Sequence, residues 1–178
     1  TQRQTGFYVQ DQIQWDAWTI LAGLRHDRAA SGKAGAAREK TSATTKRLGV
    51  LYASAARIHP YISYAESFEP QAARQGQTFK PLRGKQWEIG LKYDAGRLGL
   101  GLAFFSTTKP RSLLTADKVF TAQGRDRHQG LEFTVFGEAV RGLRLLGGAT
   151  WLDARQTRTG EASTEGKRVI GVPRLQAN

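Results

Sequence analysis

The sequence predicts an all-β protein: an antiparallel up-and-down β-barrel segment that crosses a membrane, with eight full strands and the start of a ninth. Three observations predict it. Apolar and polar residues alternate in runs of about ten residues, short and long connections alternate between these runs, and no run is apolar enough for a membrane-spanning helix. Strands of soluble sheets usually have about five or six residues, whereas crossing a bilayer at a tilt takes about ten.

The clearest alternation lies in a hairpin of residues 85–94 and 98–105, joined by the turn 95–97. In the first run, one face consists of apolar and aromatic residues, namely Trp87, Ile89, Leu91 and Tyr93. The opposite face carries Gln86, Glu88, Lys92 and Asp94. In the second run the large apolar residues are Leu98, Leu100, Leu102 and Phe104, and small residues lie between them. One apolar and one polar face is the pattern of a strand between lipid and a lumen.

A first hairpin shows the same alternation in the predicted strands 6–14 and 18–27, around the turn 15–17. Its apolar face carries Phe7, Val9 and Ile13, then Trp18, Ile20, Ala22 and Leu24. Asp11 interrupts this face close to the strand end, where an interface could hydrate it. Trp15 and Trp18 flank the turn, which is where membrane barrels have an aromatic girdle.

A second hairpin follows a polar segment without periodicity. Its predicted strands are residues 46–57 and 61–69, and the predicted turn between them is 58–60. The apolar face carries Leu48, Val50 and Tyr52, and then Ile62, Tyr64 and Phe68. Glu66 is the exception on that face.

The last hairpin is predicted from strands 128–138 and 143–153, with the turn 139–142 between them. Leu131, Phe133 and Val135 form one face of the first strand, and Arg144 directs Leu143 and Leu145 to the lipid side. Before this hairpin, Leu113–Thr115 and Val119–Thr121 are predicted to extend strands beyond the membrane. An incomplete ninth strand is expected near the end of the chain.

Short and long connections alternate along the whole chain, and this orients it. The short turns at 15–17, 58–60, 95–97 and 139–142 are expected to face the periplasm, and the long loops at 28–45, 70–84, 109–126 and 154–167 to face outward. Open sheet edges are not tolerated in lipid. We therefore expect residues 1–178 to be part of a larger barrel domain.

Composition sets further bounds. The net charge is +12, but the cations are spread through loops and polar strand faces rather than gathered among aromatics, so no nucleic-acid partner is expected. Two interpretations of this charge stay open: a lumen or mouth that attracts anionic ligands, and ordinary loop charge beside an anionic outer leaflet. Absence of cysteine excludes disulfides and thiolate metal sites. Absence of methionine indicates that the chain is not a complete translation product.

No catalytic, cofactor-binding or metal-ligating residue is predicted. His26, His59 and His128 lie in separate segments without metal-ligand spacing and are expected to be rim or turn residues. An omptin-like protease would need an Asp–His pair at the outer rim, but neighbours such as His26 and Asp27 point to opposite faces of a strand. Asp126 and His128 share a face, which is common by chance.

Other polar-face features allow a binding or a structural interpretation. Arg25 with Asp27, and Lys92 with Glu88 or Asp94, could form a charged wall along a ligand path or salt bridges that hold strands in place. Gly99-Leu100-Gly101 lacks the third glycine of a dinucleotide site and is interpreted as lumen-side small residues. Five aromatic residues could stack on a planar ligand or belong to the girdle: Tyr8, Tyr52, Tyr61, Tyr64 and Trp151.

An ordered set of motifs resembles a known family. The motifs are Gly6–Gln12 (GFYVQDQ), Ala22–Asp27 (AGLRHD), Pro60–Pro70 (PYISYAESFEP), Gln86–Tyr93 (QWEIGLKY), Gln129–Glu132 (QGLE) and Val172-Pro173. Together they resemble the barrel of TonB-dependent siderophore receptors of the ferrichrome-receptor type. Two segments depart from the pattern. Residues 109–115 lack the Asn that the family often carries before its apolar pair. Residues 124–127 match only loosely the Gly-Glu-acidic-basic segment that is usual in the family.

The resemblance implies a barrel of 22 strands closed around an N-terminal plug, in the bacterial outer membrane. It implies uptake of a ferric siderophore as transported ligand, with energy from TonB, and contact with outer-membrane lipid and lipopolysaccharide. The plug, the TonB box and the last strands are expected outside residues 1–178. The alternatives are a TonB-dependent receptor for another ligand, a passive porin-like barrel, and a soluble β-sandwich or carbohydrate-binding module.

Overall fold

The computed structural model describes residues 2–31, 39–71, 81–114 and 120–178. These residues form one sheet of nine antiparallel strands, and each strand pairs with its neighbour in sequence. The strands are β1 (Gln2–Trp15), β2 (Trp18–Ser31), β3 (Glu39–Tyr52), β4 (Ile58–Glu69), β5 (Leu82–Asp94), β6 (Leu98–Leu114), β7 (Phe120–Val140), β8 (Leu143–Arg158) and β9 (Leu175–Ala177). No helix among these residues is long and apolar enough to cross a membrane. The predicted fold class, strand order and count are confirmed.

One row of register partners crosses the entire sheet and is apolar at every position. It runs through Ile13, Ile20, Val50, Ile62, Ile89, Phe104, Leu131, Trp151 and Leu175. All of these side chains except Val50 are more than a third exposed. A sheet in water would cover such a surface, because burial of apolar area is the main driving force of folding. The row therefore marks the lipid-facing side.

The opposite face is polar. Every buried residue of the described strands lies on this face, including Asp27, Thr45, Asp126 and Ala154. A barrel sheet curves around its lumen, so side chains on the inner face crowd one another, and this accounts for their burial. We call this polar face the lumen wall.

The turn predicted at 58–60 is wrong, because these residues begin β4 and the connection is 53–57. The prediction relied on Pro60, because proline is common in turns. Pairing of β4 with β3 extends only to Tyr61, so the missing N–H of Pro60 breaks no bond on that side. The turn predicted at 139–142 is also too long. β7 continues to Val140 through a register shift after Glu138, and this bulge places Val140 opposite Leu143.

The strands extend well beyond the predicted ends on the side of the long connections. Much of the loops predicted at 28–45 and 109–126 is strand, as in β2 and β3, which stay paired from Trp18–Tyr52 to Ser31–Glu39. In the loop predicted at 154–167, only residues 154–158 belong to a strand. The predicted strand extensions are confirmed for Leu113, Leu114, Phe120 and Thr121, while Thr115 and Val119 lie outside the described residues. The ninth strand is three residues long and pairs with the middle of β8.

Asp11 and Glu66, the two acidic residues on the apolar face, have different outcomes. Asp11 lies between Val9 and Ile13, four residues before the end of β1, so it is further from the strand end than predicted. Its carboxylate accepts a hydrogen bond from the Gln12 backbone N–H at 2.9 Å. Glu66 lies two register pairs beyond Tyr64, on the side of the long connections, and accepts a hydrogen bond of 2.6 Å from the Tyr64 hydroxyl.

Candidate functional site: the lumen wall

The lumen wall carries a cluster of polar groups near the short turns, centred on Tyr61. Its hydroxyl donates a hydrogen bond of 2.7 Å to Glu88 Oε1, and Gln86 Nε2 donates one of 3.3 Å to Glu88 Oε2. Lys92 Nζ lies 5.1 Å from the centre of the Tyr61 ring, within the range of a cation–π contact. This turn-end cluster joins β4 to β5 through side chains that alternate on one face.

The salt bridge considered for Lys92 with Glu88 or Asp94 does not form in the structure. Within the described residues, Lys92 forms no ion pair with either carboxylate, and the Tyr61 ring is its partner instead. Asp94 is engaged in the next turn, where it accepts a hydrogen bond of 2.7 Å from the Gly96 N–H. Lys92 and Glu88 share a face, but each of them contacts Tyr61 of the neighbouring strand rather than the other.

Glycines make room for this arrangement. A Cβ at Gly90 would lie 2.6 Å from Tyr61 Cε1 and 2.7 Å from the Leu102 carbonyl oxygen. Gly99 is covered in the same way by the ring of Phe136. Gly99 and Gly101 both line the resulting depression in the lumen wall, which confirms their interpretation as small lumen-side residues.

Two carboxylates face this depression, which Lys92 and Arg97 also line. Glu88 on β5 and Glu132 on β7 both line it, and Ala103 on the strand between them leaves the space open. Neither carboxylate forms an ion pair with any residue that the structure describes. The turn end of the lumen wall can therefore receive a basic group from outside these strands.

The other end of the lumen wall, near the long connections, holds the predicted pair of Arg25 and Asp27. Arg25 donates from Nε at 2.8 Å and from a terminal nitrogen at 2.9 Å to the two carboxylate oxygens, and Gln4 Nε2 donates a third hydrogen bond of 3.0 Å. The Asp27 side chain is 4% exposed, whereas that of Arg25 is 49% exposed. The hydrogen bond from Arg25 lowers the pKa of Asp27.

This pair makes the loop end of the lumen wall basic. Asp27 is buried behind Arg25, so the guanidinium is the group that faces the lumen. Arg47 and Tyr8 are exposed on the same face, on the strands at either side. A cationic surface beside an aromatic ring suits an anionic or planar ligand. The pair thus fits both predicted interpretations, since it holds strands together and presents a charge.

The structure divides the five aromatic residues that could stack on a ligand. Tyr8 and Tyr61 lie on the lumen wall, whereas Tyr52, Tyr64 and Trp151 lie on the lipid-facing side and cannot contact a ligand in the lumen. Tyr52 packs against Trp18 with ring centres 4.8 Å apart, and Tyr64 against Trp87 at 4.6 Å. The lipid-facing apolar surface forms a belt across the sheet. Trp18 and Tyr52 lie at its margin beside the short turns, and Tyr64 and Trp87 lie at its margin towards the long connections, as expected of two aromatic girdles.

His26 and His128 lie near the loop end of the sheet, as expected of rim residues, whereas His59, which was expected in a turn, lies in β4 opposite Lys92 and lines the depression at the turn end. His26 lies on the lipid-facing side with Thr44, 2.9 Å away, while Asp27 faces the lumen, so this protease-like pair does not form. Asp126 shares the lumen wall with His128, but its nearest charged partner is Arg111, at 3.8 Å. Burial lowers the pKa of His128. Among the described residues no group of three or more His, Asp or Glu side chains could hold a metal ion.

Sequence reasoning missed the turn-end cluster and the group formed by Arg111, Asp126 and Gln156. Arg111 donates a hydrogen bond of 2.8 Å to Gln156 Oε1, which links β6 to β8 across β7. Alternation assigns each of these residues to the polar face, but it does not say which residues are opposite one another. Only the register of the strands supplies that information.

Comparisons with known proteins agree with this geometry. The family model described as "TonB dependent receptor-like, beta-barrel" matches residues 1–178. The ferrioxamine B receptor of Salmonella typhimurium is 29% identical over 99% of this chain, and the ferrichrome outer membrane transporter/phage receptor of Escherichia coli is 33% identical over 99%. The crystal structure of the ferric preacinetobactin receptor from Acinetobacter baumannii is 30% identical, with a TM-score of 0.84 over 98% of this chain and 28% of that chain. The chain spans about a quarter of the length of these curated relatives.

Proposed function

The chain belongs to the family of TonB-dependent receptor-like β-barrels, and from this premise we propose that it is part of an outer-membrane receptor that takes up ferric siderophores with energy from TonB. The observation that carries the proposal is the match along the entire chain to proteins named as ferrioxamine B and ferrichrome receptors. The apolar row across nine strands supports placement in the bacterial outer membrane. The transported iron belongs to the ligand, so no resident cofactor is needed.

The charge distribution of the lumen wall supports a path for such a ligand. The loop end carries exposed Arg25 and Arg47 beside Tyr8, and it would face the outside of the cell. A ferric chelate with anionic or aromatic groups would meet these side chains first. No side chain is proposed to act in catalysis, and the relatives are named as receptors and transporters.

The turn-end cluster supports a partner inside the barrel. We propose that residues 1–178 form part of the barrel domain and that a plug domain outside them fills the lumen and carries the TonB contact. Glu88 and Glu132 would receive basic side chains of the plug, because two carboxylates at a partly dry interface favour a cationic partner. Outside, the apolar belt would contact outer-membrane lipid and lipopolysaccharide.

A second candidate is a receptor of the same family for another metal chelate. It rests on the metal-pseudopaline receptor of Pseudomonas aeruginosa, which is 33% identical over 93% of this chain. Both candidates predict TonB-dependent uptake and differ only in the ligand. A passive porin-like barrel, in contrast, predicts diffusion that needs no energy.

Uptake by the full-length protein tests the proposal. The gene would be deleted and restored in an iron-limited strain, and uptake of radiolabelled iron would be measured with ferrioxamine B, ferrichrome and pseudopaline as chelators. Saturable uptake that disappears in a strain without TonB is expected for one siderophore. Uptake only with pseudopaline favours the second candidate, and uptake that persists without TonB refutes both.

A further inference from the structure

A groove lies on the lumen wall beside the loop-end cations Arg25 and Arg47, and we call it the wall groove. It has a volume of about 500 Å³, which is in the range of small-molecule sites. Small side chains on β2, β3 and β4 form its floor, and amides on β1 and β5 form its margins: Gly23, Thr45, Ser63 and Ala65, then Gln10 and Gln86. A space of this size can hold part of a metal chelate.

The wall groove is open because no side chain covers its floor. A Cβ added at Gly23 would have its nearest neighbour at 3.6 Å, and one added at Gly49, also on the lumen wall, at 3.7 Å. At the turn-end cluster, in contrast, the Tyr61 ring already fills the space over Gly90. The lumen wall is therefore recessed at the groove and filled at the cluster.

Thr45 gives the groove floor a hydrogen-bonding group without a partner. The residue is 8% exposed, and its side chain forms no hydrogen bond with any residue that the structure describes. The Gln10 amide, at the margin, also has no partner within the described ranges. Since buried polar groups are normally hydrogen-bonded, these groups are available to a molecule that enters the groove.

The charge of the wall groove is positive. Arg47 lies between Gly23 and Ala65 in register, and because both neighbours are small its guanidinium stays exposed. No carboxylate of the described strands forms an ion pair with Arg47. Glu88 also lines the groove, but Tyr61 and Gln86 hydrogen-bond its two oxygens. Arginine binds oxygen anions through paired N–H groups, so the groove suits an anionic, oxygen-rich ligand.

The turn end of β7 and β8 has the opposite character. Phe136 and Leu146 pair in register on the lumen wall there, and they are 58% and 90% exposed. Glu132 lies on the same face of β7 and lines the same depression as Phe136. A basic plug would gain apolar and ionic contacts at this place, whereas at the wall groove it would face cations and empty space.

We propose that the wall groove is a transit site for the transported chelate, which enters it when the plug separates from β2–β4 and stays attached at the turn end of β7 and β8. Arg25 and Arg47 would bind its anionic oxygens, while Thr45 and Gln10 would hydrogen-bond its other polar atoms. This inference rests on the proposed function and adds to it the side of the barrel along which the ligand moves.

A substitution that fills the groove tests the transit site in cells that produce the full-length protein. Ser63→Leu narrows the groove floor, and Ser106→Leu makes the same change on the lipid-facing side, opposite Trp87. Uptake of radiolabelled iron would be measured with whichever of ferrioxamine B, ferrichrome and pseudopaline the wild type transports, and binding would be measured in a strain without TonB. We expect Ser63→Leu to slow uptake about fivefold or more and to leave the binding Kd within about twofold, because overfilling acts only when the chelate passes. Ser106→Leu should match the wild type in both.

Thiol labelling follows the separation of the plug directly. Residues 1–178 contain no cysteine, so Ser63→Cys places one thiol in the groove and Thr150→Cys places one opposite Glu132, and the wild type supplies the background. These small changes keep the test valid if Ser63→Leu does not fold. A membrane-impermeant maleimide should label Ser63→Cys about threefold faster or more during uptake than without chelate or without TonB, since labelling follows the population of the open state. Labelling of Thr150→Cys should not change.

Faster labelling at both positions would show that the whole plug leaves the wall, and it would overturn the proposal. An unchanged rate at Ser63→Cys, weaker binding in Ser63→Leu, or equal uptake by Ser63→Leu and Ser106→Leu would overturn it as well. In each of these cases TonB-dependent uptake by the wild type persists, so the proposed function stands. If the wild type takes up none of the three chelates, the proposed function fails and the transit site fails with it.

Discussion

Substitution of Gly90 by alanine should destabilise the barrel through the Tyr61 ring. The added Cβ would lie 2.6 Å from that ring, whereas Cβ atoms in folded proteins keep more than 3 Å from such neighbours. The ring must move, and it takes its hydroxyl away from Glu88. Overpacking costs about 1–3 kcal/mol, and the lost hydrogen bond to a carboxylate about 1.5–3 kcal/mol. Replacing glycine in a strand recovers about 0.5–1 kcal/mol, which leaves a net loss of about 1.5–5.5 kcal/mol.

A double-mutant cycle tests this mechanism in the full-length protein folded in lipid vesicles. The free energy of unfolding would be measured from tryptophan fluorescence in urea for Gly90→Ala, Tyr61→Ala and the double variant. Once the ring is absent, Gly90→Ala should cost at least about 1 kcal/mol less than in the wild type, since neighbours that share a contact are not additive. Additivity within about 0.5 kcal/mol would refute the reasoning.

Gly23 provides the control for the cycle. It lies on the same lumen wall, but the nearest atom to an added Cβ would be 3.6 Å away. Gly23→Ala should therefore raise the free energy of unfolding by about 0.5–1 kcal/mol. An equal loss in Gly23→Ala and Gly90→Ala would show that any lumen-side methyl group is harmful.

Three further predictions concern the loop end and the turns. Asp27→Asn should lower the free energy of unfolding by about 1–3 kcal/mol, because it weakens charged hydrogen bonds while the exposed Arg25 stays hydrated; urea unfolding at pH 7 checks this, and a neutral effect contradicts it. Since Arg25 lowers the pKa of Asp27, the contribution is present at neutral pH and is lost as the pH falls below about 4; wild-type and Asp27→Asn stabilities should converge there, and parallel pH profiles would exclude the linkage. Gly137→Ala should destabilise more than Gly96→Ala, because φ is positive at both glycines (113° and 79°) but only at Gly137 would the Cβ also meet the Arg97 carbonyl; equal losses in thermal unfolding would show that backbone conformation alone matters.

Alternation of residue types was sufficient to predict the strands, their order and their faces. Trp87, Ile89 and Leu91 lie on one side because a strand has a period of two residues, and lipid requires that side to be apolar throughout. The same rule separated His26 from Asp27 correctly. These features depend only on local geometry and on the solvent that each face meets.

Strand ends and side-chain partners could not be predicted in the same way. β6 and β7 continue through polar residues such as Lys109 and Arg127, because the ladder outside the bilayer needs no apolar face. Lys92 contacts Tyr61 rather than Glu88 because its neighbour across the ladder is decided by register, which a turn several residues away sets. Glu66 looked like an exception only because the edge of the bilayer, at Tyr64, is not marked in the sequence.

Pairing of every strand with its neighbour in sequence has a consequence for how the protein forms and changes. Each hairpin closes through a short turn, so its backbone hydrogen bonds can form without waiting for distant parts of the chain, and little loop-closure entropy is lost at each step. Assembly can then proceed one hairpin at a time, with the newest edge serving as the template for the next. In evolution, the same independence lets the outward connections lengthen or diverge while the ladders beneath them keep their register.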